Sequence, residues 1–305
     1  MTTSSKAVLT EGFSVCGKWN KRRYRIDRLL GEGANGKVFL VQSGGQSYAL
    51  KFGFDAIDLQ MEVNIVRELD KKSPHPFLHD ADDVEIGGTV YPFYVMRYIR
   101  GHIPRRYMAK NGPEWLYMIG LNVLRKLHAL HRQGYVFGDL KTENVLVSGY
   151  GEVELVDYGG VTEKGRSVKQ FTELYDRGFW NAGERVADDG YDLFGFAVFC
   201  LQLAGMEKKL EALSRSLPQS RTVDDLCKLV EESPLCRPVA PILKKALLGR
   251  LADAKEGAEQ WKRAIEAGGV VPSPRKGDIG LWIKAAFIAS IGLFVSVVWT
   301  MWQNG

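Results

Sequence analysis

Three polar side chains lie close together in the segment 135–147, just before an apolar stretch. They are Asp139, Lys141 and Asn144. A carboxylate can orient an attacking hydroxyl and accept its proton, an ammonium can neutralise a transferring phosphoryl group, and a carboxamide oxygen can hold a metal ion. The spacing indicates phosphoryl transfer, although the same residues taken alone could form a polar turn before a strand.

This segment resembles the catalytic loop of eukaryotic-like (Hanks-type) protein kinases, whose pattern is His-Arg-Asp-Leu-Lys-x-x-Asn. The resemblance implies that Asp139 and Lys141 are catalytic and that Asn144 binds a metal ion. Phe137 and Gly138 stand where the family has His and Arg. The chain is therefore predicted to be a non-RD kinase, without the arginine that usually reads a phosphorylated activation loop.

A glycine-rich turn precedes this loop in the chain. Gly31, Gly33 and Gly36, followed by Val38, match the pattern G-x-G-x-x-G-x-V between two strand-like segments. The missing side chains would let backbone N–H groups approach phosphates, and Val38 would cover the adenine. A dinucleotide-binding fingerprint shares the glycines but needs a helix directly after them, whereas the residues after Gly36 are strand-like. A purely structural hairpin turn is the alternative.

Two charged residues are predicted to complete the nucleotide site. Lys51 ends Tyr-Ala-Leu-Lys, which resembles the family's Val-Ala-Ile-Lys and implies contact with the α- and β-phosphates. An exposed strand lysine is the alternative. The segment 57–69 is predicted to be helical, and Glu62 fits the position of the family's helix glutamate, with Glu68 as the second choice.

Further site residues follow from the same resemblance. Met96 would be the gatekeeper, and the backbone around Tyr98 would bind adenine as the hinge. Asp157-Tyr-Gly resembles Asp-Phe-Gly, so Asp157 would chelate the metal across the phosphates. The cofactors implied are ATP and Mg²⁺ or Mn²⁺.

An activation segment is expected between Asp157 and Glu184. Ala182-Gly-Glu184 resembles Ala-Pro-Glu, and Glu184 is predicted to pair with Arg237. Asp192 is predicted to brace the backbone of the catalytic loop. Autophosphorylation is expected within this segment, where Thr162, Ser167 and Thr172 are the hydroxyls closest in sequence to the active site.

Composition supports a globular chain. Of 305 residues, 45% are hydrophobic and 25% charged, which excludes a disordered or fibrous protein. The cysteines lack C-x-x-C spacing and are predicted to be reduced packing residues. Residues 1–17 lack the apolar core of about 7–15 residues that a secretory signal needs.

The C-terminal part is predicted to be a membrane anchor. Ala285–Trp302 carries no charge, and about 20 apolar residues span a bilayer. Lys284 could snorkel, and Trp282, Trp299 and Trp302 suit the two interfaces. Basic residues before this stretch predict a single-pass cell-membrane protein with a cytoplasmic kinase domain. A buried core helix is the alternative.

The predicted fold class is α+β. It is a bilobal protein-kinase-like fold, with a small antiparallel β N-lobe carrying one helix and a larger helical C-lobe, plus one C-terminal transmembrane helix. The predicted boundaries are an N-terminal tail (1–20), a protein kinase domain (21–255), a basic juxtamembrane linker (256–278), the transmembrane helix (279–302) and a short external tail (303–305). This architecture resembles the membrane-anchored YabT-type sporulation kinases of spore-forming Gram-positive bacteria.

The predicted partners are protein substrates, ATP and the membrane. The stretch 237–276 holds nine Lys or Arg against four Asp or Glu. One hypothesis is that it binds non-specific DNA or anionic lipid, which would gather kinase domains as homodimers for trans-autophosphorylation. A solvated basic face is the alternative. Lys141 resembles the serine/threonine pattern and disfavours tyrosine specificity. Two other functions stay open, namely an aminoglycoside-type small-molecule phosphotransferase and a pseudokinase scaffold.

Overall fold

The computed structural model describes residues 9–33, 36–71, 73–169 and 171–268, together with isolated helical residues between 287 and 303. Within these residues the chain forms a strand-rich N-lobe and a helical C-lobe. The strands are β1 (Ser14–Cys16), β2 (Arg23–Gly33), β3 (Gly36–Ser43), β4 (Gln46–Gly53), β5 (Leu78–Ile86), β6 (Thr89–Arg97), β7 (Tyr135–Val136), β8 (Val145–Val147), β9 (Val153–Leu155) and β10 (Thr162–Glu163). The helices are α1 (Ala56–Asp70), α2 (Pro104–Asn111), α3 (Trp115–His131), α4 (Asp189–Leu203), α5 (Glu207–Ser214), α6 (Val223–Glu232), α7 (Ala240–Leu247) and α8 (Ala254–Ala267).

The N-lobe is one antiparallel sheet in the order β1-β2-β3-β4-β6-β5. Successive residues of a strand point to opposite faces, so β4 divides its side chains between two clusters. Leu50 and Phe52 pack in one cluster with Val15 of β1, while Ala49 packs in the other with α1. Lys51 therefore lies on the α1 face. The two-face pattern confirms the predicted antiparallel N-lobe with one helix.

Helix α1 is fixed at both ends by aspartates. The Asp55 carboxylate accepts hydrogen bonds from the backbone N–H groups of Ile57 and Asp58, at 2.8 and 2.9 Å, which is an N-cap. The Asp70 carboxylate accepts from Phe77 and Leu78, both at 2.8 Å. These bonds fix α1 relative to β4 and β5.

Two strands of the N-lobe sheet are absent from the sequence predictions. β1 lies within the predicted tail, and Val15 is fully buried. β5 is rich in aspartate, a residue that strands disfavour. Its Asp82 carboxylate accepts the backbone N–H groups of Trp19 and Asn20, at 3.1 and 2.9 Å, and Lys18 N donates to Asp83 O at 2.7 Å. The turn after β1 is thus bonded to the strand at the far edge of the sheet.

The C-lobe packs around α3 and α4, and its core includes α8. Trp261 of α8 is fully buried; its Nε1 donates to Tyr117 O at 2.8 Å, and its ring contacts Phe196 at 5.2 Å between centroids. The helical lobe therefore continues past residue 255, and part of the predicted linker, 256–267, belongs to it. Helix α8 begins separately from α7, because the Asp253 carboxylate caps it by accepting Glu256 N at 2.7 Å.

The predicted transmembrane helix, 279–302, lies outside the described residues apart from isolated positions, as do Arg275 and Lys276. Among the helices that the structure describes, none combines the length and apolar character that crossing a bilayer requires.

We expect Trp261→Ala to lower the free energy of unfolding by about 3–5 kcal/mol, because it removes a large buried side chain and leaves a cavity. Urea denaturation measures this change. Trp19→Ala is the matched control, since Trp19 is 72% exposed. Equal stability of the two variants would contradict the placement of α8 in the core.

Candidate active site

A buried lysine joins the two lobes. Lys51 Nζ lies 2.8 and 2.7 Å from the two carboxylate oxygens of Glu62 and 2.7 Å from Asp157 Oδ1. Lys51 and Glu62 are both 4% exposed. Tyr94 OH, also buried, donates to Glu62 Oε1 at 2.8 Å. The structure thus places Glu62 beside Lys51, whereas Glu68 pairs with Lys71 at the surface.

Burial and the neighbouring charges shift the pKa values of the three ionisable groups in this network. Burial alone would lower the pKa of Lys51, but the Glu62 and Asp157 carboxylates raise it above its usual value. Burial opposes ionisation of Asp157, yet the Lys51 ammonium holds the pKa of that carboxyl below its usual range. Burial raises the pKa of Glu62, and the Lys51 ammonium offsets only part of this effect. Lys51 and Asp157 are therefore charged at neutral pH.

The β2–β3 hairpin lies at the edge of this network. Gly33 pairs with Gly36, and Val38 pairs across the sheet with Lys51. A Cβ on Gly36 would lie 2.2 Å from the carbonyl oxygen of Phe52, so only glycine fits there, whereas the space beside Gly31 and Gly33 is open. Residues 34 and 35 lie outside the described residues. The hairpin agrees with the predicted strand–turn–strand.

Met96 and Tyr98 lie where β6 leaves the sheet. Met96 is buried against Ala49 of β4, and Tyr98 packs against the same apolar cluster. Tyr158, which follows Asp157, also belongs to this cluster and contacts Phe77 and Phe137, with ring centroids 5.2 and 6.2 Å apart. An apolar surface therefore borders the charged network.

The catalytic-loop residues meet at one carboxylate. Lys141 Nζ lies 2.6 Å from Asp139 Oδ2, and Asn144 Nδ2 donates to Asp139 O at 2.9 Å and to Oδ2 at 3.1 Å. Thr172 Oγ1 donates to Asp139 Oδ1 at 2.8 Å. Sequence reasoning named Thr172 only as a phosphorylation candidate. No local pattern could show this contact, since 33 residues separate the partners.

Asp192 of α4 braces the loop, as predicted. Its carboxylate, 1% exposed, accepts the backbone N–H groups of Phe137 and Gly138 at 2.7 and 2.9 Å. The same carboxylate lies 2.8 Å from Nε2 of the buried His131. Because Asp139 follows directly, these bonds fix its backbone.

Gly138 occupies a position that excludes other residues. Its φ is +79°, and a Cβ there would lie 2.6 Å from the carbonyl oxygen of Gly160. L-residues rarely adopt this backbone conformation. The absence of the family's arginine is thus coupled to a close backbone contact between the catalytic loop and the segment after Asp157.

Asp157 and Asn144 have the oxygen donors that Mg²⁺ prefers. Asn144 Nδ2 bonds to Asp139, and among the described residues its Oδ1 has no hydrogen bond. Asp157 Oδ1 accepts from Lys51 and, at 3.4 Å, from Gly159 N, while no described group bonds to Oδ2. A backbone bond of 2.9 Å from Val156 N to Asn144 O holds the two segments together. The described residues contain no cluster of three or more His, Cys, Asp or Glu suited to a metal.

Comparison with known proteins agrees with this geometry. Residues 24–235 match the protein kinase domain model. The chain is 35% identical over 283 residues to the serine/threonine-protein kinase YabT of Bacillus subtilis (strain 168), covering 91% of this chain and 80% of that protein.

The chain belongs to the protein kinase family.

Eukaryotic kinases match over shorter lengths. The ribosomal protein S6 kinase alpha-6 of Danio rerio is 31% identical over 180 residues, which cover 52% of this chain and 23% of that protein. The ribosomal protein S6 kinase beta of Caenorhabditis elegans is 31% identical over 156 residues, covering 45% and 27%. The prediction of an ATP-dependent serine/threonine protein kinase of the bacterial Hanks type is confirmed.

One prediction about the activation segment of this kinase was wrong. Glu184 and Arg237 are both exposed, and the described residues contain no ion pair between them. The segment is held instead by ion pairs between arginines and aspartates that lie close together in the sequence. Of the three candidate hydroxyls in this segment, that of Thr162 belongs to a residue that is 1% exposed, and it donates to Gly160 O at 2.9 Å. Ser167 is exposed.

We expect Gly138→Arg to inactivate the kinase and to lower the free energy of unfolding by about 2 kcal/mol or more, because the side chain forces an unfavourable φ and a backbone clash. Thermal denaturation and phosphoryl-transfer assays measure the two effects. Gly149→Ala is the control, since its Cβ would meet open space. A stable Gly138→Arg variant whose activity becomes dependent on phosphorylation would show that the position tolerates the arginine.

Proposed function

We propose that this kinase is catalytically competent and transfers the γ-phosphoryl of ATP to serine or threonine hydroxyls of proteins. One observation carries the proposal. The two networks, Lys51 with Glu62 and Asp157, and Asp139 with Lys141 and Asn144, are both assembled within hydrogen-bonding distance. A pseudokinase scaffold would not need this complete set.

In the proposed reaction Asp139 orients the attacking hydroxyl. An ionised carboxylate offers about four acceptor positions, and Lys141, Asn144 and Thr172 occupy three of them. The remaining position can accept the substrate hydroxyl and its proton. Lys141 carries the positive charge next to this position and stabilises the charge that develops on the transferring phosphoryl group.

The proposed nucleotide site lies between the β2–β3 hairpin and the end of β6. Lys51, held by Glu62, would bind the α- and β-phosphates, and the open space beside Gly31 and Gly33 leaves backbone groups accessible. The role of Gly36 is to let the hairpin approach β4. Adenine would lie against a surface formed by Val38, Met96 and Tyr98.

Asn144 and Asp157 would hold Mg²⁺ or Mn²⁺ through the oxygens that no described protein group uses. When bound, the metal neutralises charge on the phosphates. Asp157 is suited to this task because its carboxyl is held in the ionised form.

We expect Asp139→Asn to lower kcat by at least about two orders of magnitude while the KM for ATP changes little, because the carboxamide cannot accept the substrate proton. Radiolabelled ATP with a generic basic protein measures the transfer. Glu143→Gln is the matched control, an exposed carboxylate in the same loop. Comparable turnover of both variants would remove Asp139 from the mechanism.

Protein substrates fit this site better than small molecules. Residues 161–169 and 171–188 fold beside the catalytic loop, and Thr172 from this segment contacts Asp139. Such a segment offers a surface for an extended polypeptide. Adding aminoglycosides or sugars to the same assay tests the alternative, a small-molecule phosphotransferase.

The proposal includes a non-RD mode of regulation. Gly138 cannot pair with a phosphate, so autophosphorylation within the activation segment would change activity only modestly. Ser167 is the exposed candidate in this segment, whereas Thr172 is already bonded to Asp139.

The proposed location is the cell membrane, with the kinase domain cytoplasmic and anchored through residues 279–302. The uncharged stretch 285–302 and the basic residues before it support this proposal. Among the described basic residues, Lys244 pairs with Glu231 and Lys262 lies 3.7 Å from Glu266. These pairs reduce the positive field of the C-lobe, so stimulation by DNA or anionic lipid depends mostly on the unpaired cations.

We expect random duplex DNA or anionic lipid to raise trans-autophosphorylation of the full-length protein in neutral nanodiscs, and salt to abolish the effect, because counterion release drives such binding. Lys255→Gln combined with Arg263→Gln should weaken the stimulation, and Lys18→Gln in the N-lobe is the control. If neither polyanion stimulates the wild type at low salt, the basic stretch acts only as a tether.

A further inference from the structure

Two arginine–aspartate pairs lie at the end of the activation segment and in the residues that directly follow it. We call them the arginine–aspartate cluster: Asp176, Arg177, Arg185 and Asp188. In the first pair, Arg185 Nε and Nη2 both lie 2.7 Å from Asp176 Oδ2. Asp176 is fully buried and also accepts the backbone N–H groups of Gly178 and Phe179, at 3.1 and 3.0 Å. The buried Asp176 carboxylate therefore joins Arg185 to the backbone of the turn that follows it.

The second pair joins Arg177 to Asp188, which lies just before α4. Arg177 Nη1 and Nη2 donate to the two oxygens of Asp188 at 2.8 and 2.7 Å, which is a bidentate contact. Arg177 Nε donates to Glu184 O at 2.6 Å and Nη2 to Val186 O at 3.2 Å. The Asp188 carboxylate also accepts Tyr191 N at 2.8 Å and so caps α4. One guanidinium therefore binds both the backbone of the returning chain and the residue that caps α4.

A run of contacts leads from this cluster to the catalytic loop. The Arg185 guanidinium lies over the ring of Phe171, 4.4 Å from its centroid. Phe171 directly precedes Thr172, whose hydroxyl bonds to Asp139. A Cβ on Gly178 would lie 3.1 Å from Arg185 Nε, so glycine makes room for the guanidinium. Arg185 thereby connects the buried Asp176 with the residue beside Thr172.

Neither of the expected anchors of the segment is present. Gly138 offers no cation to a phosphate, and Glu184 forms no ion pair within the described part of the chain. Among the described contacts, the cluster provides the two arginine–aspartate ion pairs that hold residues 171–188 in place. The groups that pair with the arginines are aspartate carboxylates, so these bonds form without phosphorylation.

We propose that Arg185, through its contacts with Asp176 and Phe171, is a positioning residue that keeps the activation segment in its substrate-binding arrangement without phosphorylation. The inference rests on the proposed protein-kinase function and names the surface that receives the protein substrate. Arg185 does not touch the reacting groups. It acts by fixing Phe171 and Thr172 beside Asp139.

The experiment compares Arg185→Gln, Arg185→Lys and Glu184→Gln in the full-length protein after phosphatase treatment, with a generic basic protein as substrate. Arg185 is about half exposed, so its replacement removes the contacts without opening the core. Glu184→Gln is the matched control, because its backbone carbonyl still accepts from Arg177. Kinetics are measured separately against ATP and against the protein substrate, and thermal denaturation monitors the fold.

For Arg185→Gln we expect kcat/KM for the protein substrate to fall about tenfold or more, with the KM for ATP within about twofold of wild type, because the displaced segment borders Asp139 and not Lys51. Arg185→Lys should recover part of the loss, since it keeps the charge but not the paired bonds. Glu184→Gln should match wild type. Phosphatase-treated wild type should keep most of its activity.

Three outcomes would overturn the inference. The first is an unchanged protein KM and kcat in Arg185→Gln, and the second is an equal loss in Glu184→Gln. The third is a drop in kcat with both KM values unchanged and a lower melting temperature, which would indicate a purely structural role. A wild type that phosphorylates no protein at all would instead refute the proposed function, so the two failures are distinguishable.

Discussion

The ion pair between Lys51 and Glu62 is the contact on which the site depends. Each partner comes from a different element, β4 and α1, and both are almost completely buried. A buried charge without a partner costs several kcal/mol, so the pair requires α1 to lie close to the sheet. Asp157 shares the same ammonium and brings in the C-lobe. One lysine thus ties together three parts of the chain that are far apart in sequence.

Backbone contacts give the catalytic loop its shape. Asp192 holds two consecutive N–H groups, and Gly138 lies against the carbonyl of Gly160. These contacts leave Asp139 little freedom, so a carboxylate with three hydrogen-bonding partners is presented in one orientation. The preorganisation that electrostatic catalysis needs is therefore built into the backbone.

Much of this arrangement could be predicted from the sequence because its signals are local. Alternating strands, the glycine-rich turn and the spacing of Asp139, Lys141 and Asn144 all lie within short windows. β5 escaped prediction because its aspartates oppose strand formation in isolation. They are tolerated because the turn after β1 supplies backbone donors, a contact made over more than 60 residues.

The activation segment was the least predictable part. The similarity of Ala182-Gly-Glu184 to a family motif predicted an ion pair between Glu184 and Arg237. The ion pairs that the structure describes in this region are instead Asp176 with Arg185 and Arg177 with Asp188. These pairs form across a loop without periodicity, and single letters do not show which arginine meets which aspartate. The contact of Thr172 with Asp139 was missed for the same reason.

The bond between the turn after β1 and β5 has a consequence for the sheet as a whole. β1 covers the outer edge of β2, and Lys18 N reaches Asp83 O on the strand at the opposite edge. Open sheet edges are templates for intermolecular strand pairing. Residues 9–20, which belong to the predicted N-terminal tail, therefore cover sheet edges that would otherwise be open to such pairing. A shortened protein that began at residue 21 would expose the edge of β2 and leave Asp82 without its backbone donors. We expect such a protein to be less soluble even where its active site is intact.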